Sequence, residues 1–180
     1  MKRSDIQTMP ANYDRYISLV EDIDLYEAFD KGLQQLNELD IPRLLAVGSA
    51  VYAPGKWTIH DIFRHAIDTE RVFAYRALRF ARNDQTSLPG FDQVLFAANA
   101  EAEKLSLDEL LSEFKVVRQS SIMLFHSFSD AALLREGVCS GIRISVLAIG
   151  FAIVGHQMHH LNIIREKYFP LIKQGSTGER

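Results

Sequence analysis

The chain has 180 residues, and with 47% of them hydrophobic it can form one domain with a sizeable buried core. Lysine and arginine number 20 against 23 aspartates and glutamates, and the resulting net charge of -3 argues against a nucleic-acid-binding surface. The single cysteine, Cys139, excludes an intrachain disulfide framework and favours a reducing compartment, so we expect a cytoplasmic protein.

Helical periodicity fills the intervals between the five prolines. Taken in chain order, the predicted helices cover 13–20, 24–39, 58–82, 92–104, 106–128 and 145–168. Capping-box patterns mark two of the starts, Thr58 with Asp61 and Ser106 with Glu109. Pro42 is expected to interrupt the chain, and loops are expected at 48–55, 83–90 and 137–143.

No segment shows the alternation that is typical of a β-strand. We therefore predict an all-α fold, a four-helix bundle with one or two short extra helices. The domain is expected to span 1–173, with a loose tail at 174–180. No run of apolar residues is long enough to cross a membrane, and residues 1–10 do not resemble a secretory signal, so we expect no membrane association.

Two histidines of the last predicted helix, His156 and His160, are four residues apart and project from the same helical face. Together with Ile149, Ile153 and Ile163 they form one stripe that should face the core. Such a pair can be two buried, hydrogen-bonded imidazoles or part of a metal site, and the spacing alone does not decide between these interpretations.

A third histidine, His65, lies one to two turns into the 58–82 helix. If that helix packs against the last one, three imidazoles can converge. Three protein ligands with one open position are typical of catalytic zinc, and imidazole also suits nickel. The remaining histidines are expected to lie outside the ligand set, with His159 as an outer partner or a surface group.

Several polar residues near His65 are candidates for supporting roles. Either Asp61 or Asp68 could orient the His65 ring, or both could be solvated surface carboxylates. Thr69 lies on the same side of the helix as His65. Arg76 lies three turns on and could bind an anionic substrate, or it could form a surface ion pair. No general base is evident, and no nucleotide-binding loop is present.

Gly150 and Gly155 lie inside the last predicted helix, where glycine is unfavourable. We expect both to mark positions at which another part of the chain approaches closely. A larger residue at position 155 should then disturb packing and metal affinity together.

Residues 55–84 (GKWTIHDIFRHAIDTERVFAYRALRFARND) and 153–169 (IVGHQMHHLNIIREKYF) resemble the DinB family of DinB/YfiT-like metalloenzymes. The resemblance implies a four-helix bundle of unusual connectivity with a divalent metal, usually zinc or nickel, in a cleft between helices. It places the metal on His65, His156 and His160. Family members often form dimers, and the characterised ones include thiol-dependent S-transferases and a mycothiol-dependent isomerase.

The leading hypothesis is therefore a metal-dependent enzyme, a transferase or a hydrolase, that acts on a small molecule as a homodimer. The chemistry would be thiol transfer with a low-molecular-weight thiol or metal-assisted hydrolysis. The alternative is a non-catalytic, metal-binding stress-response protein that acts through dimeric interactions. An open polar cleft beside the histidines would favour the enzyme, whereas a closed site with a fourth protein ligand would favour a structural metal.

Overall fold

A computed structural model describes residues 1–174, with side chains through residue 172, and the fold is mostly helical. The tail predicted at 174–180 lies outside the described residues except for the backbone of residue 174. The α-helices are α1 (Asp14–Ile17), α2 (Leu25–Asn37), α3 (Ile41–Val47), α4 (Ile59–Ala81), α5 (Gln93–Asn99), α6 (Leu107–His126), α7 (Asp130–Leu133) and α8 (Val146–Ile163). The strands are β1 (Glu136–Cys139) and β2 (Ile142–Ser145).

The four long helices α2, α4, α6 and α8 form a bundle, as predicted. Each packs extensively against two of the others, so that the order around the bundle is α2, α6, α4, α8. Helices that follow each other in the chain are therefore diagonal at two of the three connections, α2 to α4 and α6 to α8. In a plain up-and-down bundle with short loops, consecutive helices are neighbours. The connectivity here needs long connections, which contain α3 in one case and α7 with the β-hairpin in the other.

Both predicted capping boxes are present. The Thr58 hydroxyl accepts a hydrogen bond from the Asp61 amide while Asp61 accepts one from the Thr58 amide, and Ser106 and Glu109 do the same for α6. These reciprocal bonds satisfy amide groups that a helix start leaves without partners. They fix the starts of the two helices that form one side of the bundle.

Helix α8 differs from the predicted amphipathic stripe because it is buried on all sides from Val146 to Gln157. It lies between α4 and α2, and α1 packs on its remaining face. An ideal Cβ at Gly155 would lie 2.0 Å from the carbonyl oxygen of Tyr16, and one at Gly150 would lie 2.8 Å from the Phe125 ring. The predicted close approach at both glycines is confirmed.

The expected loop at 137–143 is instead a β-hairpin, and the prediction that the chain has no strand was wrong. Strands β1 and β2 pair in antiparallel register, with Cys139 opposite Ile142. The two residues between them, Ser140 and Gly141, both have positive φ, 52° and 75°. That is the backbone of a type I′ turn, whose twist matches paired strands. The sequence signal for this hairpin is a Ser-Gly pair between two segments in which apolar and polar residues alternate. Those segments are too short for the alternation to be recognised as a strand pattern.

Other local predictions also differ from the structure, and the helix predicted at 13–20 covers only Asp14–Ile17. Pro42 does not interrupt the chain but lies in the first turn of α3, where a missing amide hydrogen costs nothing. The helix predicted at 92–104 ends at Asn99, because Glu101 adopts left-handed φ, and a short 3₁₀ turn, Ala102–Lys104, follows. The last predicted helix continues beyond α8 as a π-helical turn, Ile164–Tyr168.

The buried apolar side chains form two clusters, one around α1, the first half of α8 and the hairpin, the other around α3 and the starts of α4 and α6. Along α4, α6 and α8, polar residues separate the two clusters. These residues form a polar layer across the bundle: His65, Thr69 and Glu70 on α4, Arg118 on α6, and His156, Gln157 and His160 on α8. No helix in the described part of the chain is long and apolar enough to span a membrane.

Candidate metal centre

The three predicted ligands meet within the polar layer, where α4 packs against α8. Nε2 of His156 lies 3.2 Å from Nε2 of His65 and 3.1 Å from Nε2 of His160. One ring nitrogen from each of the three residues lies within 4.8 Å of the other two. All three side chains are buried, with 5–8% of their surface exposed. The arrangement brings together residues 91 positions apart in the chain.

The spacing of the nitrogens fits a shared cation better than mutual hydrogen bonds. A neutral imidazole nitrogen either donates one hydrogen or accepts one, so Nε2 of His156 cannot form good hydrogen bonds with both neighbours. Tetrahedral zinc with Zn–N bonds of about 2.0–2.1 Å would separate its nitrogen ligands by about 3.3 Å. The two measured distances are close to that value, so the residues present fit a divalent metal.

Burial keeps the three imidazoles neutral, which is the form that binds metal. Loss of hydration lowers the pKa of His65 from 6.5 to about 4, with a smaller contribution from His159. The same cause lowers the pKa of His160 to about 3 and the pKa of His156 well below 6.5, and in both cases neighbouring histidines add to the effect. Each ring therefore offers a lone pair at neutral pH.

The side chains that hold these rings are mostly aromatic. Trp57 packs against His65 with ring centres 4.7 Å apart, and Tyr16 meets His156 edge-on at 5.0 Å. The Thr69 hydroxyl lies 3.4 Å from Nδ1 of His65, one turn along α4. Nδ1 of His160 has no hydrogen-bond partner among residues 1–172, in contrast to most ligating histidines.

Neither candidate carboxylate forms a hydrogen bond or an ion pair with His65. Asp61 is engaged in the capping box, where it accepts hydrogen bonds from the amide and hydroxyl of Thr58. Asp68 faces two arginines, with its nearest oxygen 3.9 Å from Arg64 and 3.7 Å from Arg71. The structure thus places both residues in interactions that stabilise α4 and its surface.

The other three histidines lie outside the cluster. His159 is half-buried and packs edge-on against Tyr16 with ring centres 5.2 Å apart. His126 is exposed and stacks on Tyr26, and His60 is half-buried in the first turn of α4. No ring nitrogen of these three joins the group formed by His65, His156 and His160.

Two clefts that share no lining residue reach the histidines. The first, which we call the aromatic cleft, has a volume of about 320 Å³ and is lined by His160 together with Tyr52, Trp57 and Tyr168. The second, the cationic cleft, has a volume of about 230 Å³ and is lined by His65 and His156, with Arg15 and Arg76 as its cations. Neither cleft has an aspartate or glutamate among its described lining residues.

Arg76 lines the cationic cleft and is buried, with 3% of its surface exposed. Its guanidinium donates hydrogen bonds to the hydroxyls of Tyr13 and Ser140 and to the carbonyl of Pro89. Sequence reasoning missed Tyr13, Tyr16 and Ser140 as cleft residues. Their contacts with α4 and α8 are long-range, and no local pattern in the sequence signals them.

The amino-acid pattern and the fold both match known proteins. Residues 11–164 match the model of the DinB superfamily, so the chain belongs to this superfamily. Its fold is similar to that of YfiT from Bacillus subtilis, which is described as a probable metal-dependent hydrolase with an unusual four-helix bundle topology. The TM-score is 0.62 at 15% sequence identity, over 93% of this chain and 89% of YfiT. No curated protein sequence matches the chain.

Proposed function

We propose that this DinB-superfamily protein is a metal-dependent hydrolase of small molecules, in which His65, His156 and His160 bind one divalent ion, zinc or nickel. The proposal rests on the convergence of three neutral imidazole nitrogens at one point between two clefts. The description of YfiT as a probable metal-dependent hydrolase supports the same reaction class.

The number of ligands favours a catalytic site over a structural one. Structural zinc sites use four protein ligands, whereas catalytic sites use three and leave a position for water or substrate. Within residues 1–172, no fourth histidine, cysteine, aspartate or glutamate joins the cluster. The two clefts that the histidines line would give a substrate access to the remaining position.

A divalent ion at this point would act as a Lewis acid toward a carbonyl or phosphoryl oxygen and would increase the acidity of water. The protein itself contributes position and environment. The rings of Trp57 and Tyr16 fix the planes of His65 and His156 and limit the entry of bulk water. Thr69 lies within reach of Nδ1 of His65 and can hold that ring in one tautomer.

Thiol transfer is the second reaction to test. Cys139 is fully buried, with its sulfur 3.6 Å from the Tyr13 hydroxyl, so it is inaccessible to a substrate. A transferase reaction would therefore need a low-molecular-weight thiol from solution. The aromatic cleft, with apolar walls next to His160, is where we would expect an electrophilic partner to bind.

An activity screen separates these reactions. Zinc- and nickel-loaded protein is incubated with aryl esters, amides and phosphate esters without a thiol, and with an aryl halide plus several thiols. We expect hydrolysis that is lost in His160→Ala and kept in His126→Ala, whose ring lies outside the cluster. Turnover only in the presence of a thiol would favour the transferase. Stoichiometric metal binding without turnover in either arm would favour the non-catalytic alternative.

We also propose that the protein acts as a homodimer in the cytoplasm. Several large apolar side chains are exposed on α5 and α6, among them Val94, Leu95, Val116 and Met123, and they could form part of an apolar interface. Sedimentation velocity of the purified protein tests the dimer directly.

A further inference from the structure

We propose that Arg76 binds an anionic group of the substrate, a carboxylate or a phosphate, in the cationic cleft. The inference rests on the proposed function, because His65 and His156 line the same cleft. It limits the substrates to small molecules that carry a negatively charged group in addition to the bond that is cleaved.

The burial of Arg76 without a counter-ion is the main observation. Arginine is rarely buried unless a carboxylate or another anion is paired with it, since a buried cation loses its hydration. All three partners of the Arg76 guanidinium are neutral oxygens, from Tyr13, Pro89 and Ser140. In the described part of the chain, no carboxylate oxygen lies within 4.0 Å of it.

Another buried arginine of the same bundle shows the usual solution. Arg118, with no exposed surface, donates to both carboxylate oxygens of Glu70 at 2.9 Å. Both residues lie in the polar layer and line neither of the two clefts. Arg118, which lies away from the clefts, thus has a carboxylate partner. Arg76, which lines a cleft, has none among the described residues.

The guanidinium also has donors available toward the cleft. Arginine carries five N–H groups, and the bonds to Tyr13, Pro89 and Ser140 use three of them. The Nε–H and one Nη1–H are left, and each can donate a charge-assisted hydrogen bond to a carboxylate or phosphate oxygen. Both Nη2 hydrogens are used, so two parallel bonds to an anion would require it to replace Ser140, whose bond to Arg76 is the longest of the three at 3.3 Å. A second cation, the exposed Arg15, lies at the rim of the cleft and would attract an anion toward it.

The position of Arg76 relative to the histidines fits a small substrate. Its Cζ lies 5.8 Å from the centre of the Phe73 ring, and that centre lies 6.1 Å from the centre of the His156 ring. One aromatic ring therefore separates the anion-binding group from the ligand cluster. A molecule bound at Arg76 would lie along Phe73 and present its other end to the histidines.

Anion titrations test this assignment. The probes are inorganic phosphate and succinate, with succinamide as the uncharged control, and binding is followed through the Nε–H resonance of Arg76 and by calorimetry. The titrations use the wild type and also His160→Ala. This variant should lack the metal ion, so that anion binding by the metal does not contribute to its titration. His160 lines the other cleft, so this variant changes no lining residue of the cationic cleft.

We expect the binding of both anions to reach saturation and to shift the Arg76 resonance. Succinamide should neither bind nor shift that resonance. Arg76→Gln should weaken binding by about tenfold or more, and Arg15→Gln by less. Arg76→Lys keeps the charge without the planar fork and should fall between the wild type and Arg76→Gln.

Anion binding that is equal in Arg76→Gln and the wild type, or a wild type that binds neither anion, would overturn the inference. Should Arg76→Gln not fold, the shift of the Arg76 resonance in the wild type decides. Metal content measured on the same samples keeps the two proposals apart. Normal metal content without anion binding contradicts only the role of Arg76, and Arg76-dependent binding in a protein that binds no metal contradicts only the metal centre.

Discussion

Nε2 of His65 on α4 lies 3.2 Å from Nε2 of His156 on α8. This contact joins two helices that are neighbours in the bundle but are separated in the chain by α6 and the hairpin. The placement of the two rings depends on the capping box that fixes the start of α4 and on the close approach of α1 to α8.

The stability of the metal-free protein should fall as the pH is lowered from 7 to 5. The pKa of His65 is lowered to about 4 and that of His160 to about 3 in the folded state, whereas an unfolded histidine titrates near 6.5. Below pH 6.5 the unfolded chain therefore binds protons that the folded chain does not, and protonation favours unfolding. We expect a loss of about 2 kcal/mol per histidine over this range.

Urea unfolding of chelator-treated protein at several pH values measures this dependence. His65→Asn removes one of the titrating groups and should flatten the curve, while His126→Asn, at an exposed position, should leave it unchanged. A wild-type curve that is level between pH 7 and 5 would show that the three rings are not held neutral by burial.

Gly155→Ala should destabilise the protein by about 1–3 kcal/mol, although alanine is the better helix former. The new methyl group would lie 2.0 Å from the carbonyl oxygen of Tyr16, so the backbone of α1 would have to move. Because the Tyr16 ring contacts His156, metal affinity should fall together with stability.

The matched variant is Gly150→Ala, at which the nearest atoms belong to the side chains of Phe125 and Leu25. Side chains can change rotamer more easily than a backbone can shift, so we expect a smaller loss of stability and unchanged metal affinity. Thermal melting and a zinc titration of both variants make the comparison. Equal effects at the two positions would disprove the special role of Gly155.

Replacing the two buried arginines should have very different effects on stability. Arg118→Met leaves the buried carboxylate of Glu70 without a partner and should cost about 3–5 kcal/mol. Arg76→Met removes a buried cation that has no carboxylate partner among the described residues, and the exposed Pro89 can turn its carbonyl toward water. We expect that variant to lie within about 1 kcal/mol of the wild type. Chemical unfolding of both variants measures the difference, and a large loss in Arg76→Met would indicate a structural role for Arg76.

Much of the bundle could be predicted from the sequence because its signals are local. The capping pairs at Thr58 and Ser106 and the helical spacing of apolar residues locate α4 and α6 to within a few residues. The hairpin was missed because two four-residue strands are too short for periodicity, and their stability comes from contacts with other elements. Gly137 packs directly against the Phe80 ring, and Leu88 forms backbone hydrogen bonds with Val138 and Ser140.

Only the part of the candidate site that is determined by helix geometry could be predicted from the sequence. The i, i+4 spacing places His156 and His160 on one face, and His65 could be added if α4 packed against α8. The walls of the cationic cleft could not be predicted, because Tyr13, Tyr16 and Ser140 reach it from just before α1, from α1 and from the hairpin turn. Asp61 and Asp68 were candidates for orienting His65 because of their helical spacing from it. In the structure they instead interact with Thr58 and Arg64, which lie close to them in the chain.

The metal content of protein purified without an affinity tag tests the central claim most directly. Elemental analysis of the wild type should give about one zinc or nickel ion per chain. His65→Ala, His156→Ala and His160→Ala should each lose most of that metal, while His60→Ala, in the first turn of α4 and outside the cluster, should retain it. Wild-type metal content in all three cluster variants would contradict the assignment of a metal centre to these histidines.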